Sequence, residues 1–257
     1  MNAYVNAHPQ KGFTLVELII VIVIAGILAI GSVQFISQAT QGYSDAADRQ
    51  QLATIGWIAS EKMSRELRNA LPNSVRLNVA NTCVEFIPVL GGSHYLTLPG
   101  ETPSTLDSFT AVESGLTTAD LDNNRIAVYP SETSDIYGKP NPGPLSGVVS
   151  SISTASNIDT ITLGSNFTFS TDSPERRFYF TQSPVAYCIV GSQLNRYSKY
   201  GFNSPANHQI IINKITNGSF AISPATLTRN AIVSMHFTLE NGARHDIDQE
   251  VQIRNVP

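Results

Sequence analysis

From Leu18 to Val33 the chain is almost unbroken in apolar residues, and a weaker run continues to Ile36. At 1.5 Å of rise per residue, about 20 such residues cross a bilayer core, so the segment 13–36 is predicted to be a membrane-spanning helix. No proline interrupts residues 13–71, and past the apolar run the pattern changes without breaking. Leu52, Ile55, Ala59, Met63, Leu67 and Ala70 fall three or four apart, marking one face of a helix. The other face is charged: Asp45 with Arg49, Glu61 with Arg65 and Lys62 with Glu66 stand at i,i+4, each pair worth roughly a few tenths of a kcal/mol. Pro72 bars further helix and disfavours the helical conformation at Leu71. One helix over about 13–70 is therefore predicted, membrane-inserted in its first half and, over 37–72, amphipathic and packed under a sheet.

After Pro72 the period falls from 3.6 to 2. Val75, Leu77 and Val79 alternate with Arg76 and Asn78, which predicts a half-buried strand. A second strand is expected over Cys83–Leu90, closed by a Gly91-Gly92 turn, and a third over Tyr95–Leu98. Residues 99–174 are rich in Ser, Thr, Asn, Gly and Pro, with short apolar runs at Arg125–Tyr129 and Thr160–Leu163, and are expected to be long loops around a few strands. Strand signals return at Arg177–Phe180, and Val185–Val190, Gly191-Ser192 and Gln193–Tyr197 read as a hairpin. A last hairpin is marked by the alternation of Val233, Met235, Phe237 and Leu239, the turn pair Asn241-Gly242, and Ile247, Val251 and Ile253 on the return strand. The fold class is α+β: a long N-terminal helix packed on antiparallel β-sheet.

Of 257 residues, 42% are hydrophobic and 14% charged, with a formal net charge of -4, so nothing suggests nucleic acid as a partner. The chain beyond the anchor is long enough for a sizeable core. No linker of distinct composition divides it, which implies one head domain, 73–257, with a loop-rich insert at about 99–174. The five histidines are scattered without ligand spacing, and His236 falls on the solvent face of a strand. There is no Gly-x-Ser-x-Gly elbow or phosphate loop. No enzyme constellation and no cofactor site is expected.

The chemistry concentrates at the start of the apolar run. A carboxylate at the bilayer centre costs about 2.5–3.5 kcal/mol on insertion scales, which makes Glu17 a functional residue by default. It stands in Lys11-Gly12-Phe13-Thr14-Leu15-Val16-Glu17, and this stretch resembles the leader signal of type IV pilins and the related secretion pseudopilins. The resemblance implies a leader, 1–12, whose basic residue is Lys11. Prepilin peptidase would cut between Gly12 and Phe13 and methylate the new Phe13 amine, and Glu17 would serve as the assembly carboxylate, paired with the Phe13 amine of a neighbouring subunit. An ordinary secretory signal carries its cleavage site beyond its apolar segment. Here a cut after Gly12 leaves the whole helix on the mature protein.

Patches farther along, Arg65–Pro72, Pro184–Cys188 with Leu194–Tyr197, and the ending Arg254–Pro257, are similar to minor pilins of the mannose-sensitive haemagglutinin (MSHA) pilus, MshO type, and the general plan to the J-type pseudopilin of type II secretion. The resemblance implies a single-pass inner-membrane protein with its head in the periplasm, assembled into a pilus. Its partners would be prepilin peptidase, other major and minor pilins, the inner-membrane assembly platform and the lipid bilayer. It places Cys83 and Cys188 in an oxidising compartment where a disulfide between them would persist, the alternative being two buried thiols. Because some pseudopilins bind calcium, the alternating oxygen donors Asp120, Asp122 and Asn124 are a weak calcium candidate, set against an Asx-turn opening the next strand; an EF-hand would need Gly where Arg125 stands and Glu where Ser131 stands. No other metal site is expected. A J-type secretion pseudopilin and a tip adhesin displaying 99–174 are the alternative functions.

Overall fold

The computed structural model describes residues 12–101, 104–202, 207–224 and 230–253. Lys11 and the Arg254–Pro257 ending lie outside the described residues. In chain order the elements are helix α1 (Leu15–Arg68), strands β1 (Arg76–Leu77), β2 (Cys83–Phe86), β3 (Val89–His94), β4 (Ser108–Val112) and β5 (Arg125–Ala127), the short helix α2 (Thr133–Gly138), then β6 (Leu145–Ala155), β7 (Ile158–Leu163), β8 (Arg177–Thr181), β9 (Val185–Val190), β10 (Gln193–Tyr197), β11 (His208–Ile212), β12 (Ile215–Ser223), β13 (Ala231–Asn241) and β14 (Ala243–Ile253). The chain divides into two units, Met1–Gln50 and Gln51–Pro257.

In the first unit every residue from Gly12 to Ala47 is exposed, including the apolar run. Two of its hydroxyls bond within the helix: Ser32 Oγ donates to the Leu28 carbonyl and Thr40 Oγ1 to that of Ile36, both at 2.8 Å. Such internal pairing is what a helix in hydrocarbon requires, because no water is there to accept the bond. α1 is long and apolar enough to cross a membrane.

The second unit begins with the amphipathic part of α1. The predicted face is buried at Leu52, Ala59, Met63 and Leu67, with Ile55 packed at its margin. Gly56, Ser60 and Ser64 are buried beside it, a row of small residues four apart. A Cβ at Gly56 would lie 1.9 Å from Ile247 Cδ1, so β14 approaches the helix there as only glycine permits. Glu61 and Arg65 pair as expected, at 2.8 Å. Glu66 does not take Lys62: its carboxylate accepts from Arg196 Nε at 3.0 Å, because the half-buried guanidinium on β10 brings a fixed donor within reach. Arg65 and Arg68 in the last turn face the negative end of the helix dipole.

Two antiparallel sheets contribute to the core on this helix face, one in the order β1-β2-β9-β10-β11 and one in the order β12-β13-β14. Val84, Phe86 and Tyr187 from the first and Phe220, Phe237 and Val251 from the second are almost wholly buried. Both predicted hairpins form: Val190 pairs with Gln193 around Gly191 (φ 59°), and Asn241 with Ala243 around Gly242 (φ 72°). The fold class is thus α+β, a long helix packed on antiparallel sheets.

Four expectations for the middle of the chain fail. The predicted Val75–Val79 strand shrinks to Arg76–Leu77, Val79 is fully exposed, and Asn81 turns the chain at φ 56°. Cys83–Leu90 is not one strand, since Pro88, which has no N–H for a ladder, falls where the chain leaves one sheet for another. Gly91-Gly92 is no turn: both lie inside β3, and a Cβ on Gly92 would sit 2.8 Å from the Phe178 carbonyl, so the glycine lets β8 come close. Tyr95 makes only an isolated bridge to Ala111.

The largest correction is the insert. Residues 99–174 supply β4, β5, β6 and β7, which with β3 and β8 build a six-stranded sheet in the order β3-β8-β5-β6-β7-β4. It has its own core, including Phe109, Ile126, Ile161, Phe178 and Phe180, with Phe178 edge-on to Phe109 at 5.5 Å and to Phe180 at 5.3 Å. The Ser- and Thr-rich composition that suggests loops is largely the outer face of β6 and β7 together with side chains spent on backbone. Along β7, Asp159, Ile161 and Leu163 point inward while Ile158 and Thr160 are exposed. The buried Asp159 carboxylate accepts from Ser114 N–H at 2.8 Å, Ser114 Oγ at 2.7 Å and Thr154 Oγ1 at 2.6 Å. Ser156 and Asn157, both at positive φ, close the β6–β7 hairpin.

Candidate functional site

Gly12, Phe13 and Thr14 precede the helix, and α1 starts at Leu15. Thr14 caps it: its carbonyl accepts from Leu18 N–H at 3.2 Å and its Oγ1 from Glu17 N–H at 3.3 Å. The spacing Thr-x-x-Glu is the sequence signature of a capped helix start, a signal that points to Thr14 as well as Glu17. One of the free amide donors of the first turn is thereby satisfied inside the chain. Among the described residues nothing lies within 4 Å of the position a Cβ at Gly12 would occupy, and Phe13 is 76% exposed, so none of them covers the Gly12–Phe13 peptide.

Glu17 lies in the first turn, exposed among exposed apolar neighbours. Among the described residues no cation pairs with its carboxylate. The positive end of the helix dipole favours an acid there by about 0.3–1 kcal/mol. That is well short of the roughly 2.5–3.5 kcal/mol of burial in hydrocarbon. The structure thus brings together an open peptide bond, an aromatic residue just outside the helix and an unpartnered acid one turn in.

The cysteines are joined in a disulfide, Cys83–Cys188, with Cα atoms 4.1 Å apart. They stand directly opposite each other on β2 and β9. Cys83 turns its backbone polar groups toward Asn78, donating to Asn78 Oδ1 at 2.9 Å and accepting Asn78 N–H at 3.1 Å. The cysteine pair therefore occupies a non-hydrogen-bonded site, where facing side chains lie closest.

The three oxygen donors weighed for calcium each have a protein partner. Asp120 accepts from Thr117 N–H and Oγ1, both at 2.8 Å, which holds its carboxyl below the ordinary value. Asp122 pairs with Lys199 at 3.3 Å. Asn124 is buried, accepting Asp122 N–H at 2.6 Å and donating to the Thr181 carbonyl at 2.9 Å. Asn124 is thus used to open β5 and pin it to β8. Among the described residues no group of three His, Cys, Asp or Glu side chains is arranged to hold a metal.

Other perturbed groups belong to the fabric of the head. Burial, then the Glu66 charge, pushes the Tyr187 hydroxyl up; burial, then the Glu85 carboxylate that accepts from it at 2.7 Å, does the same to Tyr200. Burial first and the Glu85 charge second also raise Tyr137, whose hydroxyl donates to the Ser74 carbonyl at 2.8 Å.

Residues 8–33 match the protein-family model described as Prokaryotic N-terminal methylation motif. No curated protein and no solved structure matches the chain. The matched residues contain the open Gly12–Phe13 bond, the Thr14 cap, Glu17 and most of the exposed apolar run, and they support a type IV pilin-like protein whose helix fits a membrane anchor.

Proposed function

We propose that the chain is a minor pilin of a type IV pilus of the MSHA kind, made as a prepilin and docked into a fibre through its N-terminal helix, with no catalytic activity of its own. Prepilin peptidase removes 1–12 at the open Gly12–Phe13 bond and methylates the Phe13 amine. Residues 13–36 hold the protein in the inner membrane in a single pass, with the head in the periplasm, until the assembly platform lifts it into the fibre. The observation that carries the proposal is the Glu17 carboxylate, without a cation partner among the described residues, in the first turn of the exposed apolar part of α1. Such an acid is strained in lipid and relieved when the charged Phe13 amine of a neighbouring subunit reaches it.

The size and elaboration of the head favour a minor subunit over one repeated throughout a fibre. A six-stranded sheet with its own hydrophobic core is a large appendage for every turn of a filament to accommodate.

Glu17→Leu separates docking from anchoring. It removes the cost of a charge in hydrocarbon, so cleavage and membrane insertion should proceed as in the parent. The neighbouring amine loses its counter-ion, and an uncompensated member of a buried pair typically costs about 3–5 kcal/mol. The variant should be cleaved, stable in membranes and at least tenfold depleted in sheared pili by quantitative blotting. Equal incorporation of variant and parent would refute Glu17-driven docking.

A further inference from the structure

One cleft in the head is built in a way that the pilin reading does not use. It has a volume of about 440 Å³, and its lining includes Asp122, Arg125, Lys139, Ser183, Lys199 and Phe202, drawn from four separate segments of the chain. Small-molecule sites run from about 300 to 1,000 Å³, so the cleft has room for a ligand of one or two rings and is larger than a bare ion needs.

Its charge is inverted relative to the molecule. The protein carries a formal net charge of -4, while three cations and a single carboxylate line this cleft. That carboxylate, Asp122, pairs with Lys199 at 3.3 Å between side chains that are 70% and 83% exposed, a contact that water screens and a competing anion can exchange. Arg125 and Lys139 have no carboxylate partner among the described residues. Arg125 is half-buried at the start of β5, with Nη1 donating to the Ser146 carbonyl at 2.8 Å, and burial pulls its proton affinity down, as expected of a cation drawn from water without a counter-ion.

Both cations are held by one aromatic ring. Lys139 Nζ lies 4.5 Å and the Arg125 guanidinium carbon 5.2 Å from the centroid of Phe202, which is braced in turn by the edge of Tyr137 at 6.1 Å. A ring face positions a cation without consuming its N–H donors, whereas a carboxylate would consume them. The result is a pair of preoriented cations, most of whose donors remain for something else, beside the hydroxyl of Ser183 and the amide of Asn123.

We propose that this cleft binds an acidic sugar residue, its carboxylate held by Arg125 and Lys139 and its hydroxyls by the neutral polar walls. Planar guanidinium groups match carboxylates in two-point geometry, and neutral hydroxyl and amide groups supply the direction-specific contacts a sugar ring needs.

Isothermal titration calorimetry on the full chain in neutral detergent tests this with three probes: glucuronate, glucose and inorganic sulfate. Glucuronate should bind saturably and more weakly as sodium chloride rises, glucose should not bind, and sulfate should compete only at higher concentration. Charge-assisted contacts are strong enough that Arg125→Gln should weaken glucuronate at least tenfold and Lys139→Gln several-fold. Lys199→Gln, whose charge is already paired, should change it less than about threefold. Lys139→Gln also guards against misfolding, since its side chain reaches the cleft from the exposed end of α2, and its melting curve should match the parent. Failure of glucuronate to bind, glucose binding as well as glucuronate, or affinities unchanged in Arg125→Gln and Lys139→Gln would overturn the proposal. Sulfate binding as tightly as glucuronate would overturn the sugar and leave a plain anion site. None of these outcomes depends on processing of Gly12–Phe13 or on Glu17.

Discussion

Gly26 and Gly56 lie on the same helix, α1, in opposite surroundings. Around Gly26 nothing comes within 4 Å of an added Cβ, while at Gly56 that atom would be driven into Ile247 at 1.9 Å. The contrast extends to every class of residue. Leu18 is 55% exposed and Leu67 not at all; among the described residues Glu17 has no cation partner, whereas Glu66 holds Arg196. The second half of the helix has satisfied its apolar face and its main acid inside the molecule. The first half has bonded its backbone and the Ser32 and Thr40 hydroxyls within itself and buried none of its apolar side chains. Exposed apolar surface and a carboxylate without a cation partner among the described residues call for different surroundings: hydrocarbon accepts the first and rejects the second. A pilin-like life, in lipid and then in a fibre, answers each in turn.

The comparison is sharpened most by breaking what holds the head alone. The disulfide closes a separation of 105 residues. In the chain-entropy picture a loop of this size contributes up to about 4.7 kcal/mol, and about 3 is a realistic expectation. Cys83→Ser with Cys188→Ser should therefore lower the melting temperature of the head by roughly 6–12 °C, read by near-ultraviolet circular dichroism, with membrane insertion of the apolar half unchanged. A melting point that does not move would show that the head is stapled by its cores alone.

Next in size is the glycine pair itself. Overpacking a filled core typically costs about 1–3 kcal/mol, so Gly56→Leu should lower the head's melting temperature by several degrees. Gly26→Leu should leave it unmoved. Equal effects in thermal melts would erase the distinction drawn between the two halves.

What could be read in advance follows the same division. The helix, its buried face and the two glycine-turned hairpins are legible because local periodicity and turn chemistry agree with the final packing. The Cys83–Cys188 partnership is simple to foresee from the two cysteines of the chain, each in an apolar, strand-like run. The six-stranded sheet is not legible: β6 contains Ser146, Ser150, Ser151 and Ser153, and what makes it a strand is pairing with β5 and β7 and the shared core under Phe109 and Phe178. Gly91-Gly92 misleads for a related reason, since a glycine needed for close approach to β8 looks like one needed for a turn. β11 and β12 go unmarked because few of their residues are buried, Ile212 in the first and Ile215 and Phe220 in the second, so neither carries a clear alternation. The Phe202 cleft is invisible in one dimension, its three cations being brought together from three separate segments.

The smallest expected effect isolates the helix start. Thr14→Ala removes the acceptor for the Glu17 amide, and a lost N-cap costs typically about 1 kcal/mol, or about fivefold in local opening. Hydrogen exchange of the Glu17 amide in detergent micelles should quicken by that factor while amides of the head keep their rates. Unchanged exchange at Glu17 would mean the cap does not hold the first turn.

The central claim, that the open Gly12–Phe13 bond marks where a leader ends and an assembling helix begins, is tested most directly by the mass of the protein's own N-terminus. Protein extracted from membranes of cells with active prepilin peptidase should yield an N-terminal peptide that begins at Phe13 and carries one added methyl group. A peptide that retains Gly12, or any N-terminus within the apolar run, would contradict the account.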